Sequence, residues 1–451
     1  FFPNPIWKTH SRSPSGNNQA KTMQRNKSGF PRIKYNDIKY RDVCVMKSFK
    51  VCIPLFLAAV ILICPLCGYC ESAAPAQGAV LSALSDGNNE TFITAAELTL
   101  GQSGADGVYI VFRRKAAAYT VFSSAGEVRV DNGFLHSLAR LPAGCDEQGL
   151  RIVFDSETEV SEARAFSGKT PEWAQDWQSN DGDADLLLLS THSDDEHLFF
   201  AGLLPYYAAG RGYRIQVAYF TNNGKNHTRD HELLDGLWKV GVRRYPVFGD
   251  FSDTWAENYG EAEKNLKAEG YTYSSAAEYC AGLLRRFRPL VAVGHDLDGE
   301  YGHGQHCLSS AALCDAIALA AEEHAGGYPA WQVKKLYLHL YTQNRIHMDW
   351  DIPLAAFGGK TAFGVSQDGF ACHKSQQWTW FRRWMFGRNG RLARASEITV
   401  YSPCDYGLYY SAVGADEMKN DMFENLFDYI PYTRLRGAFS KTRGNTVCSL
   451  I

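Results

Sequence analysis

A mostly parallel, doubly wound α/β sheet preceded by a smaller all-β sandwich is the architecture that three features of this 451-residue chain predict. The first is "DLLLLS" at 185–190, a continuous apolar run of the kind a strand shows when both its faces are covered. The second is the alternation that follows, strand-like runs separated by helix-length segments as far as Tyr341, which implies parallel pairing through crossovers. The third is the texture between Gly78 and Gly168, where short β-branched and aromatic runs are separated by Gly, Ser, Asp and Asn turns.

Residues 1–45 are polar, basic and without hydrophobic period, and are read as an extension outside the folded body. At Met46 a short cationic stretch leads into the uncharged Val51–Cys70 segment and then into small residues at Ala74 and Ala76. This pattern reads as a secretory signal over 46–76, which places the mature chain outside the cytoplasm. An uncleaved membrane anchor is the competing reading, since twenty uncharged residues are long enough to span. Five of the twelve cysteines fall before residue 71, and the other seven are too scattered to define a disulfide framework.

In the predicted sandwich (78–168) the strand candidates are "GVYIVFRR", "AAYTVFSS", "EVRV" and "LRIVFD". "LSDGNNETF" near its start and "VSEARAFSG" near its end resemble the discoidin-like, galactose-binding-like β-sandwich, which implies a glycan ligand for this module; an accessory sandwich without a ligand is the plain alternative. A polar linker is expected over 169–183. From 184 the order reads strand 185–190, helix 197–210, strand 213–222, helix 229–242, strand 244–249, helix 278–287, strand 289–295, helix 308–324 and strand 334–341. Residues after Met348 are aromatic and mixed and receive no assignment. "WTWFRRWMF" at 378–386 could stack on sugar rings, but is expected to be the core of a helix.

The formal charge of −3 is uneven. Residues 1–50 carry eleven basic and two acidic side chains, which leaves the rest near −12. An acidic body excludes nucleic acid as the main partner.

The chemistry gathers at predicted strand ends, where open α/β sheets bind ligands. Seven of the thirteen histidines lie between His192 and His306. "THSDDEH" follows the first strand, and His295 and "GEYGHGQH" follow the fourth. His192 and Asp195, spaced i and i+3, with His306 from the second loop, would make two imidazoles and a carboxylate with one open position, a catalytic zinc arrangement. Asp194, beside a ligand, would take a proton from a water that zinc activates, and His303 could act as an acid or hold an oxyanion. The bland alternative for the first cluster is a charged cap on the helix that follows. His197 is read as a helix-surface residue, Glu196 as a first-turn cap or a support for a ligand, and His295 with Asp296 as a supporting or a structural pair.

"THSDDE" resembles the AHPDDE motif of the PIG-L/LmbE family of zinc-dependent de-N-acetylases, and "HDLDGEYGHGQH" is similar to its second motif, usually ending GHPDH. "ACHKSQQ" at 371–377 resembles a third element containing H-x-S-Q. The resemblance implies a Rossmann-like fold over a domain placed here at 184–451, a zinc ion, and removal of acetyl from N-acetylglucosamine-type substrates. It implies His192, Asp195 and His306 as metal ligands, Asp194 as general base, His303 stabilising or protonating the intermediate, Tyr301 polarising the carbonyl, and Arg229 as a substrate contact. Arg229 could equally pair with Glu232 or another acid on a solvated helix, and His373 is read as a pocket residue that contacts substrate. Ser193 replaces the family Pro, and Gly304-Gln305 replaces Pro-Asp, so that Gln305 cannot supply the charge that tunes the neighbouring His303. Two other readings stay open: an inactive carbohydrate-binding homologue, and a metallohydrolase of another amide.

Overall fold

The computed structural model describes residues 84–101, 104–142, 149–323 and 327–429. The predicted extension at 1–45 and the signal at 46–76 lie outside the described residues. Among the described residues, no helix is long and apolar enough to cross a membrane.

Six antiparallel strands come first: β1 (Ile93–Leu100), β2 (Gly107–Phe112), β3 (Tyr119–Ser123), β4 (Gly126–Val130), β5 (His136–Arg140) and β6 (Leu150–Phe166). β1 runs along one edge of β6. On the other edge, the first part of β6 pairs with β3 and the last part with β2. The seventeen-residue β6 thus carries two leaves, β3-β4 and β2-β5, and Val108, Ile110, Phe112, Tyr119, Val121 and Ile152 share one buried core. Two strands absent from the sequence reading, β1 and β5, complete the unit.

The predicted linker is not a free tether. Trp177 and Ala174 are buried, the Trp177 indole N–H donates to Gln175 Oε1 at 2.9 Å, and Gln175 donates to Asp235 at 2.6 Å.

The α/β body is built on β7 (Leu186–Ser190), β8 (Ile215–Asn222), β9 (Val247–Ser252), β10 (Val291–Gly294) and β11 (Lys335–His339), all parallel. β12 (Arg345–His347) and, beyond a small β13–β14 hairpin (Pro353–Leu354 with Lys360–Thr361), β15 (Asp405–Ser411) add an antiparallel edge, giving the order β12-β15-β11-β10-β7-β8-β9. Side-chain alternation feeds two cores. Leu186, Leu188, Val217 and Val293 face one, and Leu187, Leu189, Ala218 and Ala292 face the other. Helices α1 (His227–Lys239) and α5 (Ala362–Cys372) contribute to the first core. Helices α2 (Tyr259–Ala268), α3 (Tyr273–Phe287) and α4 (Gly304–Ala321) contribute to the second. A further short helix, α6, spans Trp380–Phe386.

One expectation fails here and another holds in part. Residues 193–202 are consecutive turns, not an α-helix, and helical structure begins only at Leu203, leading into a π-helical turn at Pro205–Gly210. The reason lies in the carbonyls: Asp195 O alone accepts from Leu198, Phe199 and Phe200, a mixture of spacings that no regular helix makes. In α6 Met385 is buried and Phe381, Trp384 and Phe386 pack against the first core, while Trp378 is 81% exposed and Trp380 42% exposed, so "WTWFRRWMF" is core on one side only.

Candidate metal centre

β7 and β10 are neighbours, but the chain leaves β7 toward β8 and β9 and returns through β10 toward β11. The crevice beyond their carboxyl ends is where such a sheet has room for a ligand. Both predicted loops open there. Thr191 N–H donates to His295 Nε2 at 3.0 Å, and Thr191 and Ser309 hydroxyls bond at 2.7 Å, which fastens the β7 loop to the β10 loop and to α4.

The three predicted ligands meet. His192 Nδ1 lies 3.1 Å from Asp195 Oδ2 and 3.1 Å from His306 Nε2, and His306 Nε2 lies 3.2 Å from Asp195 Oδ2. Donors about 2.0–2.1 Å from a tetrahedral ion stand about 3.3 Å apart, so the triangle has the size of a zinc-type site. The outer hydrogen bonds decide which ring atoms carry protons. His306 Nδ1–H donates to Glu300 Oε2 at 2.6 Å, and His192 Nε2–H donates to Gln305 Oε1 at 3.0 Å. Each ring therefore turns a lone pair toward the Asp195 carboxylate. Three lone pairs facing one point call for a positive charge there. The electrostatics agree. Burial works against a charged His306, yet Asp195 and Glu300 hold it up at about 10. Asp195 stays well below the usual carboxylate range despite burial, because His306 and His192 face it. The described residues thus fit a divalent cation.

Glu300 is the hub that the sequence reading missed. Its carboxylate accepts from His306, from His295 Nδ1 at 2.8 Å and from His339 Nδ1 at 2.6 Å. Thr191 N–H occupies the other nitrogen of His295, so that ring supports the centre and is no ligand. Carboxylate–histidine pairs of this kind orient metal ligands. The available signal was an acid inside the second motif, flanked by His295 and His306.

Gln305 does not bear on His303 as expected. Its amide holds His192 in place, accepting also from Thr254 N–H at 3.1 Å and donating to Ser252 O at 2.8 Å. Gly304 before it gives its N–H to Ala256 O, and a Cβ there would collide with the Asn258 carbonyl, so the family's Pro has no place in this backbone. His303 caps α4: its Nδ1 accepts Gln305 N–H at 3.2 Å, which leaves the proton on Nε2. Burial, then His192 and His306, hold it neutral by pushing its pKa far down. Its ring lies 4.7 Å from His192 and 4.8 Å from His306.

Asp194 adopts φ 144°, a strained value for a residue with a side chain. Its N–H donates to Glu196 Oε2 at 2.9 Å, and its carboxylate faces Arg229 Nη2 at 3.4 Å. Burial holds that carboxyl well above the usual range, with Arg229 opposing. Arg229 is already engaged: it donates to Asp253 at 2.8 Å and to Ser193 O at 2.6 Å, bracing the loop. Tyr301 sits at φ 49° among the rings of Trp255, His303, Trp380 and Phe381. Burial, then Asp195 and Asp194, keep its phenol protonated.

His373 is not at this point. It is 0% exposed and lies beside Glu196 and His197, so the expectation of a substrate contact fails. His197 is equally buried, not a surface residue.

With this geometry in view, the family comparison is informative. Residues 187–317 match the family model described as PIG-L: GlcNAc-PI de-N-acetylase. Among particular relatives, it is 27% identical over 186 residues to a 1D-myo-inositol 2-acetamido-2-deoxy-alpha-D-glucopyranoside deacetylase of Segniliparus rotundus, covering 35% of this chain and 58% of that one. It is 26% identical to the deacetylase of the same description from a Nocardioides species, covering 42% of this chain and 72% of the relative. The chain thus spans little more than half the length of the first of these. The N,N'-diacetylchitobiose deacetylase of Pyrococcus horikoshii superposes with a TM-score of 0.36 at 14% identity, over 50% of this chain and 84% of that one.

Proposed function

We propose that this chain is a zinc-dependent hydrolase that removes the acetyl group from N-acetylglucosamine-type glycans or glycoconjugates. The observation that carries the reading is the convergence of three donor atoms, His192 Nδ1, Asp195 Oδ2 and His306 Nε2, in the loop that also holds the buried Asp194. The ion would be held by those three residues. When bound, it supplies a Lewis acid that polarises the acetyl carbonyl and makes water nucleophilic near neutral pH.

The chain's own groups do the rest. Asp194 accepts the proton of the attacking water. Arg229 keeps the Asp194 loop in position through Ser193 O. The Nε2–H of His303 and the Tyr301 hydroxyl are donors for the oxygen that gains charge as the carbonyl becomes tetrahedral. The carbon–nitrogen bond then breaks as the amine takes the proton that Asp194 accepted from the water, leaving acetate and a free amino sugar. Trp255, 47% exposed, and Trp380 flank Tyr301, and such aromatic walls around a few polar groups suit the apolar faces of sugar rings. Glycan binding by the β1–β6 module and export through the 46–76 segment extend the same proposal. Saccharide binding by a site-inactivated variant and N-terminal sequencing of exported chain test these two.

The central test is acetate release from N-acetylated mono- and oligosaccharides by metal-loaded protein. Release that a chelator abolishes and zinc restores is the expected result. Release indifferent to the chelator would sink the reading, and turnover confined to non-sugar amides would move the substrate class.

A further inference from the structure

Behind the candidate centre lies a second cluster with unmet polar atoms. Glu196, His197 and His373 are each fully buried. Glu196 Oε2 is engaged by Asp194 N–H, but Glu196 Oε1 and all four ring nitrogens of His197 and His373 lack a hydrogen-bond partner. Five such atoms in one place are unusual, because native interiors pair nearly every buried polar group. They are also gathered. His197 Nε2 lies 3.4 Å from Glu196 Oε1 and His373 Nε2 lies 3.6 Å from it, and one donor atom from each residue falls within 4.8 Å of the others. These separations are too long for strong hydrogen bonds. They match donors about 2.1 Å from a shared ion at near-tetrahedral angles.

The backbone around the cluster is cut away to make the space. A Cβ on Gly236 of α1 would stand 2.5 Å from His197 Nε2 and 3.0 Å from His373 Nε2. A Cβ on Gly369 of α5 would stand 2.7 Å from His197 Nδ1. Both glycines lie inside helices, where glycine is disfavoured, so their role is room rather than backbone freedom. The Gly369 carbonyl opens on the same space, 3.2 Å from the position a Gly236 Cβ would take.

We propose that Glu196, His197 and His373 form a second, closed site for a borderline divalent cation such as zinc, with the Gly369 carbonyl or a water as fourth ligand. Two imidazoles and a carboxylate are a ligand set for that class of ion. Being sealed, the site is structural. Glu196 would then grip the ion through Oε1 and the strained Asp194 backbone through Oε2, so that the second ion steadies the loop that carries the proposed base.

The experiment counts metal in the purified full chain by mass spectrometry after zinc loading and removal of loose metal. Two equivalents are expected, with one remaining in His192→Ala and one in His373→Gln. A single ordered water bridging the three side chains is the competing occupant; it predicts one equivalent, lost in His192→Ala, which would overturn the second site and leave the deacetylase reading intact. One equivalent that survives His192→Ala but is lost in His373→Gln would uphold the second site and remove the ion from the catalytic reading. Because His373→Gln could misfold, cobalt loading of His192→Ala gives an independent readout. Intense visible absorption from four-coordinate cobalt is expected, and a colourless folded protein would overturn the proposal.

Discussion

Two buried histidine pairs, almost equally close, have opposite meanings. In one, His136 of β5 meets His231 of α1, with Nε2 and Nδ1 2.8 Å apart. In the other, His192 meets His306, with Nδ1 and Nε2 3.1 Å apart. The first pair is part of a chain in which every lone pair finds a proton. Tyr109 O–H donates to His136 Nδ1 at 2.8 Å, His136 Nε2–H to His231 Nδ1, and His231 Nε2–H to the Arg113 carbonyl at 2.9 Å. Nothing is left to bind. In the second pair, the outward ring nitrogens donate to Gln305 and Glu300, and the inward nitrogens meet one another and a carboxylate. Proton direction, not proximity, separates a structural clasp from a site. The clasp has its own work, since it fixes the β1–β6 unit to α1, the helix whose Arg229 braces the Asp194 loop.

The sharpest way to break this comparison is at the proposed base. Asp194→Asn is expected to lower acetate release by about 10²–10⁴-fold with metal content unchanged, because the variant keeps the shape and loses the proton acceptor. Undiminished release would remove Asp194 from the mechanism. Glu300→Gln comes next. It replaces the carboxylate that three histidines share, and a metal affinity about 10–100-fold weaker is expected, with activity recovering at excess zinc. Unchanged affinity in a competition titration would mean that Glu300 does not orient His306.

Much of this contrast was readable in advance, and the missing parts share a cause. "DLLLLS" became β7, and both motifs opened at the ends of adjacent strands, because strand burial and loop placement are encoded locally. The three residues that meet at the candidate centre were legible from residue type and order. The role of Gln305 was not, because nothing in "GHGQH" says that its amide reaches back to His192. His197 and His373 were misread for a similar reason: the turns after Asp195 replace a helix, and they turn His197 inward to meet α5, over 170 residues later. The strand candidate "LRIVFD" ended at Asp155, whereas β6 runs on to Phe166 and exposes Asp155, Ser156 and Glu157 where its partner changes from β3 to β2. Tertiary partners decided each of these cases.

The clasp gives the smaller effects. His136→Ala should leave the Tyr109 hydroxyl and His231 Nδ1 unpaired, at a cost of about 1–3 kcal/mol in unfolding free energy, with acetate release per folded molecule unchanged. A selective loss of activity at full stability would instead make the pair part of the site.

The smallest effect is a pH slope with a definite sign. Burial, then His231, hold His136 neutral with a pKa well below its ordinary value. Once unfolded, the same ring binds a proton below about pH 6.5. The unfolded state then carries the extra proton, so acid favours unfolding, and native stability is lost as pH falls below 6.5 while nothing changes above it. This one ring contributes at most about 1.4 kcal/mol per pH unit. Denaturant midpoints at pH 7.5, 6.5 and 5.5 should therefore fall less steeply in His136→Ala than in the parent chain. Parallel slopes in the two proteins would show that His136 already carries its proton in the fold, and the directed chain from Tyr109 to Arg113 would have to be redrawn with a charge in it.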